Sequence, residues 1–314
     1  MYREHIFVNK IFRNEQPPFQ RRMLKHIPEK TEESVILLSG YKVKGKMIKH
    51  QILLNQPDIR PHLPETYWFS ADRAVQMLKK YRSIFIKPNG GSGGTGIIRV
   101  RKTANGRYET ALGQSRHVVG YSSLYRDFQS YERSAEPYIV QRGLDLATQK
   151  GKLFDLRIYL QKPAGLWMIS GMVARVAAPR LFVTNHTRGG HAASVPEVLL
   201  PVYRNNRSKV RQSTNEIRKL SLVIARTLNK SFADIRELGI DFGIDKKGRI
   251  WFIEANSRPA HQLFTELPDK TMLRRIRRNK RLILSHPRIF SLTGPLISSL
   301  PAFISTRIKK GTVQ

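Results

Sequence analysis

Glu237-Leu-Gly-Ile-Asp-Phe-Gly-Ile-Asp-Lys-Lys-Gly-Arg-Ile-Trp-Phe-Ile-Glu-Ala-Asn256 decides the reading of this chain. Two apolar runs, residues 240–244 and 250–253, flank Asp245-Lys246-Lys247-Gly248. A glycine turn between two such runs predicts a β-hairpin. Asp241 lies on the first strand, and Glu254 and Asn256 close the second. Side chains alternate along a strand, so Glu254 and Asn256 share a face. Closing the hairpin at Lys246-Lys247 sets Asp241 across from that pair. Three hard oxygen donors on one sheet face suit Mg2+, which takes carboxylate together with phosphate oxygens. Asp245, at the turn, is expected only to solvate it. The alternative is an amphipathic hairpin whose acids are merely solvated. Acids are scarce here, and an unpaired carboxylate beside Trp251 and Phe252 is costly, which favours a cation partner.

The chain has 314 residues, enough for two or three subdomains around sizeable cores. Its 40% hydrophobic content is ordinary for a globular protein. No run approaches a membrane-spanning length of uncharged apolar residues. The first residues, Met1-Tyr2-Arg3-Glu4-His5, lack the apolar stretch of a secretory signal, so a cytoplasmic location is expected. The absence of cysteine excludes disulfides, zinc–thiolate sites and a cysteine nucleophile. Charge is the unusual feature: 56 basic against 23 acidic residues, a net +33. The excess runs throughout and is heaviest in the C-terminal third. Such a field attracts polyanions: nucleic acid, anionic lipid, an acidic polymer or an acidic peptide.

In chain order, a short strand is expected at 35–38 and a strand or loop over 42–49. Residues 50–54 are apolar on one side. Pro57, Pro61 and Pro64 read as a linker ending at Leu63-Pro64-Glu65-Thr66. The spacing predicts a helix over 70–81 with Ser70 as N-cap and Asp72 in the first turn. Strands follow at 83–87, 97–101 and 107–111, the last two joined by an Asn105-Gly106 turn. A helix over 121–134 and strands at 137–141, 154–161 and 166–176 come next, then a polar loop over 184–194. Ile217, Leu220, Ile224 and Leu228 recur at helical spacing within 213–229. Residues 270–281 hold seven Lys or Arg in twelve positions. That run reads as a solvated helix face or as a polyanion-binding tail. Sparse aromatic interleaving argues against single-strand stacking there.

Lys87 ends one strand, and five glycines fill the seven positions from Gly90 to Gly96 before the next strand. Glycines let several backbone N–H groups turn toward an anion, and a lysine adds a point charge for phosphate. The Gly-Lys-Ser/Thr ending of a Walker loop is missing, and a strand rather than a helix follows, which also excludes a dinucleotide loop. Taken alone, the run is equally a flexible hairpin loop. Together with the acidic hairpin downstream it supplies the parts of an ATP site.

Leu63-Pro64-Glu65-Thr66, Ile86-Lys87-Pro88 with the glycine loop, Phe154-Asp155-Leu156-Arg157, Gly171-Met172-Val173-Ala174-Arg175, Thr184-Asn185 with Gly189-Gly190, Gly239-Ile240-Asp241 and Ile253-Glu254-Ala255-Asn256 occur in that order. This ordered set, over about residues 49–262, resembles the ATP-grasp superfamily, and most closely its YheC/YheD group associated with endospore coats. The resemblance implies an α/β (α+β) fold in which two α+β subdomains grip ATP between them, behind a shortened N-terminal region. The implied division is 1–66 as N-terminal region and linker, 67–145 as the glycine-loop subdomain, 146–268 as the metal-binding subdomain and 269–314 as a basic tail.

It also implies roles. Lys87, Lys49 and the loop residues Gly91, Ser92, Gly93, Gly94, Thr95 and Gly96 would hold the nucleotide phosphates. Lys49 is one of several lysines between 42 and 49. Tyr138, Ile139, Val140 and Gln141 would form the hinge strand whose backbone reads the adenine edge, with Phe252 also at the nucleotide. Arg157 and Arg175 would be catalytic, near the terminal phosphate and the acyl phosphate. Read from the residues alone, two arginines amid apolar neighbours either pair with acids such as Asp155 or await an anionic substrate. Asp241, Glu254 and Asn256 would bind Mg2+, or Mn2+ in its place. Asn185, Gly189 and Gly190 would face the substrate, and His186 and His191 flank that loop. The implied reaction is ATP-dependent joining of a carboxylate and an amine, an amino acid or peptide, through an acyl phosphate. The charge favours an acidic or polymeric substrate, and the family likeness implies spore-coat association. Two rivals use the same features: a structural or polyanion-binding protein that keeps the fold without the chemistry, and a kinase that stops at phosphoryl transfer to an alcohol.

Overall fold

The computed structural model describes residues 45–285 apart from Ser92, residues 179–181, Val183 and residues 185–188. The strand expected at 35–38 and the chain beyond 285 lie outside the described residues. Helix α1 (Lys46–Leu54) stands where a strand or loop was expected over 42–49. Its Met47, His50 and Leu53 are buried, a three-residue spacing that defines one helical face. The lysines between them mask that period in the sequence. After α1, a 3-10 turn at Arg60–His62 takes Pro61 in its first positions and leads to strand β1 (Thr66–Trp68). Leu53, Ile59 and Leu63 all enter one hydrophobic core with the larger sheet. The proline-rich stretch is therefore a packed crossing between the two sheets, not a linker.

The smaller sheet comprises β1, β2 (Ser83–Pro88), β3 (Ile98–Lys102), β4 (Tyr108–Leu112), β5 (Ser115–Val119) and β6 (Tyr138–Arg142), in the order β1-β6-β2-β3-β4-β5. Helices α2 (Ala71–Lys80) and α3 (Tyr121–Glu132) belong to the same half. Ser70 caps α2 as expected, its hydroxyl accepting from the Arg73 N–H at 3.1 Å. Ile84, Ile86, Ile98, Val100 and Val140 are buried. The alternate positions Phe85, Lys87, Arg99, Arg101 and Gln141 line the cleft described below. Strand alternation thus splits one half into a core face and a site face.

The larger sheet comprises β7 (Thr148–Gln149), β8 (Lys152–Gln161), β9 (Met168–Val176), β10 (His191–Ala193), β11 (Glu237–Ile244) and β12 (Ile250–Asn256). Its order is β10-β9-β8-β11-β12, with β7 paired to β8. Helix α4 (Val195–Val202) leads into the long α5 (Arg207–Ser231). Val210, Ile217, Leu220, Ile224 and Leu228 of α5 share a core with Phe154, Leu156, Ile158 and Leu160 of β8 and with Leu238, Ile240 and Phe242 of β11. The opposite face of β8 carries Asp155, Arg157, Tyr159 and Gln161, a polar series that alternation sets on one side.

The hairpin forms, with Asp241 directly opposite Glu254 and Gly239 opposite Asn256. Its register shifts by one between Asp241 and Phe242, because Phe242 pairs with Phe252 and leaves Ile253 extra. Such a bulge inverts the facing of what precedes it. Asp245 does more than solvate the turn. Its Oδ1 accepts from the Lys247 and Arg249 N–H groups, both at 2.9 Å, and its Oδ2 accepts from Trp251 Nε1 at 2.9 Å. Gly243 admits its neighbours closely, since a Cβ there would lie 2.6 Å from Leu146 Cδ2.

The basic run is a helix, α6 (Thr271–Ser285), and not a detached tail. Its Leu273 and Ile276 join Tyr159, Val173, Leu263 and Phe264 in a second hydrophobic cluster against the larger sheet. Asn279 Nδ2 donates to Ser170 Oγ at 3.0 Å. Arg274, Arg277 and Arg278 face outward. A boundary at 268/269 would cut through this packing. Ile276→Ala should therefore cost about 2–5 kcal/mol in urea unfolding, while Arg277→Ala stays within roughly 0.5 kcal/mol. Equal small effects would make α6 an appendage.

Candidate functional site

A cleft of about 1380 Å3 is lined by both sheets. Its floor is the polar face of the larger sheet, where register alone brings opposite charges together. Asp155 lies opposite Arg175, and Asp241 lies between Arg157 on one side and Glu254 on the other. Arg175 donates from Nε to Asp155 Oδ1 and from Nη2 to Asp155 Oδ2, each at 2.6 Å. The same Nη2 lies 2.7 Å from Asp241 Oδ2. Arg157 forks onto Asp241, with Nε on Oδ1 and Nη2 on Oδ2 at 2.9 Å. The Thr184 hydroxyl donates to Asp155. Gly239 leaves room for the fork, since a Cβ there would sit 3.1 Å from Arg157 Nη1.

Burial alone would raise both carboxyls. At Asp241 the Arg157 and Arg175 guanidiniums overcome it and hold the group below the usual carboxylate range. At Asp155 burial wins over Arg175 and the carboxyl is pushed up, with the nearby Asp241 charge adding to the rise. Burial works against the Arg175 charge too, but Asp155 and Asp241 together raise its pKa. Two cations and two acids form one neutral, mutually oriented unit, the arrangement under which buried charge is tolerated.

The wall is different: three ammonium groups converge there. Lys46 Nζ donates to Pro88 O at 2.9 Å and Gly90 O at 2.8 Å. Lys49 Nζ donates to Ala255 O at 2.5 Å. Lys87 Nζ donates to Gln141 Oε1 at 2.6 Å. Gln141 is itself oriented, because its Nε2 donates to Thr66 Oγ1 at 2.9 Å and that hydroxyl donates to Pro64 O at 2.8 Å. Glu254 is the nearest acid, 3.9 Å from Lys46. Burial lowers the pKa of Lys46 and Lys49, and brings Lys87 down to about 8, all against the pull of Glu254. Lys46 was not singled out in the sequence. Its signal is the three-residue spacing from Lys49 on a helix, visible only once α1 is recognised.

Gly91, Gly93 and Gly94 line the cleft with φ of 74°, 73° and 73°, a conformation that favours glycine. Thr95 and Gly96 belong to the same loop but do not line the cleft, and Ser92 lies outside the described residues. Two expectations need correction. The backbone of Tyr138, Ile139, Val140 and Gln141 cannot read a base edge, because β6 is an interior strand paired to β1 on one side and β2 on the other. The cleft is instead lined by the chain leaving that strand, residues 141–146. There the backbone of Leu144 has no hydrogen-bond partner among the described residues. Phe252 faces the core and packs edge-on against Phe242, ring centroids 6.4 Å apart. The bulge at Ile253 turns it away and puts Ile253 beside Glu254 in the cleft. Gly189 and Gly190 lead into β10 and are not among the lining residues, and Asn185 and His186 lie outside the described ones.

Of the three expected donors, Glu254 and Asn256 are open to a hard cation, while both oxygens of Asp241 are taken by arginines. Glu254 and Asn256 are half-buried in the cleft, and the Asn256 amide has no hydrogen-bond partner among the described residues. Asp241, opposite Glu254, is held by both arginines. Carboxylate and amide oxygens beside a lysine wall suit Mg2+ that shares phosphate oxygens.

A family model described as YheC/D-like ATP-grasp matches residues 36–282. The chain is similar to the endospore coat-associated protein YheD of Bacillus subtilis, 26% identical over 291 residues, covering 84% of this chain and 61% of that protein. It is also similar to YheC of the same organism, 22% identical over 211 residues, covering 65% and 56%. The chain thus spans about three fifths of the length of these relatives. Among solved structures it resembles the ATP-grasp ligase PsnB complexed with minimal precursor, at a TM-score of 0.44 and 12% identity over 76% of this chain and 60% of that one. The D-cycloserine synthetase DcsG gives 0.45 and 12% over 74% and 71%. At those values neither likeness bears on chemistry. Among the described residues no helix is long and apolar enough to cross a membrane.

The wall makes its own prediction. Glu254 raises the lysine pKa values, so Glu254→Gln should move the Lys87 titration below about 8. Lysine side-chain NMR in the free protein reads it, and an upward or absent shift would remove Glu254 from the wall.

Proposed function

The chain belongs to the YheC/D-like ATP-grasp family, and from that premise we propose that it is an ATP- and Mg2+-dependent ligase joining a carboxylate to an amine. The observation that carries this is the contrast within one cleft: a charge-balanced floor beneath a wall of three lysines, Lys49 buried and Lys46 and Lys87 half-buried, facing one carboxylate. Such a wall is completed by a polyphosphate. Lys46, Lys49, Lys87 and the loop N–H groups would hold the nucleotide phosphates, and Leu144 would meet the base edge. Glu254, Asn256 and Asp241 would hold Mg2+, which when bound neutralises phosphate oxygens.

In the proposed reaction an oxygen of the substrate carboxylate attacks the terminal phosphorus and ADP leaves. The amine then attacks the acyl carbon, loses a proton, and phosphate departs. Arg157 and Arg175, pre-oriented by Asp155 and Asp241, would stabilise the charge developing on the transferred group. No side chain of this chain becomes covalently attached. Arg82, Arg142 and Arg258 also line the cleft, which supports an acidic substrate, and Arg99 and Arg101 line it paired with Glu109. The names of the relatives support a place in the spore coat.

A second reading, binding without turnover, draws on the same floor: Arg157 and Arg175 are already satisfied by Asp241 and Asp155. ADP release by the purified chain with Mg·ATP, across amino acids and acidic peptides, separates the two when products are weighed by mass spectrometry. The ligase requires release that depends on both a carboxylate and an amine, with loss of water in the joined product. A stable phosphorylated product with no amine requirement would mark a kinase, and Mg·ATP binding without release would favour the second reading. Lys87→Ala should weaken ATP binding roughly 10- to 100-fold, the loss of one charge-assisted contact. Unchanged binding would take Lys87 out of the site.

A further inference from the structure

A second concave site lies away from the cleft, between α4 and α5, with a volume of about 540 Å3. Arg207, Arg211 and Arg218 of α5 project along it, and Pro196 and Leu200 of α4 form its apolar side. The three arginines are exposed and have no ion pair among the described residues. Each of the two helices has a single acid, and both are engaged elsewhere. Glu197 accepts from Gln149 Nε2 at 3.0 Å, and Glu216 lies 3.8 Å from His62 Nε2. Glu216 is nine residues from Arg207, half a turn round the helix from the arginine row.

We propose that this groove docks an extended acidic peptide segment. Arg207 and Arg218 are about 16 Å apart along the helix, the span of roughly five extended residues. Guanidinium forks match carboxylates two at a time, and the apolar side accepts aliphatic side chains between the acids. The partner must be acidic, because a second copy of this chain, at +33, would repel itself. A single-stranded nucleic acid would need aromatic platforms, and the groove has none.

The test is fluorescence anisotropy of a labelled peptide alternating glutamate and leucine, with a single-stranded DNA of equal charge as comparator. One variant of the full chain carries Arg207→Glu, Arg211→Glu and Arg218→Glu. The other carries Arg274→Glu, Arg277→Glu and Arg278→Glu on α6, for the same change in net charge. The groove variant should lose at least about tenfold in peptide affinity and the α6 variant about threefold or less, while DNA binding falls equally in both. Equal peptide losses, no loss in the groove variant, or a DNA loss there as large as the peptide loss would each overturn the assignment. Arg211→Gln alone, with about a threefold expected loss, keeps the test decisive if the triple variant does not fold.

Discussion

The ion-paired quartet of Arg157, Arg175, Asp155 and Asp241 is the constraint on which the cleft depends. Three neighbouring strands must hold one register for these side chains to meet. Once they meet, Asp155, Arg157 and Asp241 are buried and Arg175 is largely covered. Deleting one partner leaves an uncompensated buried charge, a loss of about 3–5 kcal/mol. A hydrophobic floor would be no less stable, so the quartet is better understood as an orienting device. It aims two guanidiniums from a rigid sheet into a space that the smaller sheet covers.

The wall above follows opposite logic. Its lysines come from α1 and β2 and lean on backbone carbonyls and an amide rather than on acids. A carbonyl satisfies an ammonium hydrogen bond without cancelling its charge. Desolvation then lowers the affinity of each lysine for its proton. Floor and wall thus divide the labour: one is neutral and fixed, the other holds unbalanced positive charge that an anion would relieve. Lys49 also ties the two halves together, since its hydrogen bond to Ala255 O joins α1 to β12.

Much of this was legible in the sequence where period and turn chemistry agreed. Ser70, Asn105-Gly106 and the Ile217-Leu220-Ile224-Leu228 row all lead to elements that form. The hairpin itself followed from its glycine turn, but a turn closed at Lys246-Lys247 would set Asp241 opposite residue 252, and the pairing with Glu254 depends on the bulge. What escaped was non-local. One inserted residue, Ile253, sends Phe252 to the core, and no local pattern announces a bulge. The interior position of β6 depends on β1, three residues long and separated from it by most of the smaller half. Helix α1 was hidden because its polar positions are lysines whose stems are buried while their charges reach the cleft. Residues 270–281 looked like a tail because charge outweighs the two buried apolar side chains, Leu273 and Ile276, that dock them.

Burial leaves Lys87 only partly protonated near pH 8 until phosphate arrives. Calorimetric titration of Mg·ATP into the protein near pH 8, in buffers of different ionisation enthalpy, tests it directly. Lys87 is then about half protonated in the free protein, and an anion restores its charge. Uptake of about half a proton per nucleotide bound is expected at pH 8 from Lys87, falling toward zero by pH 6. Binding with no uptake, or with proton release, would contradict it.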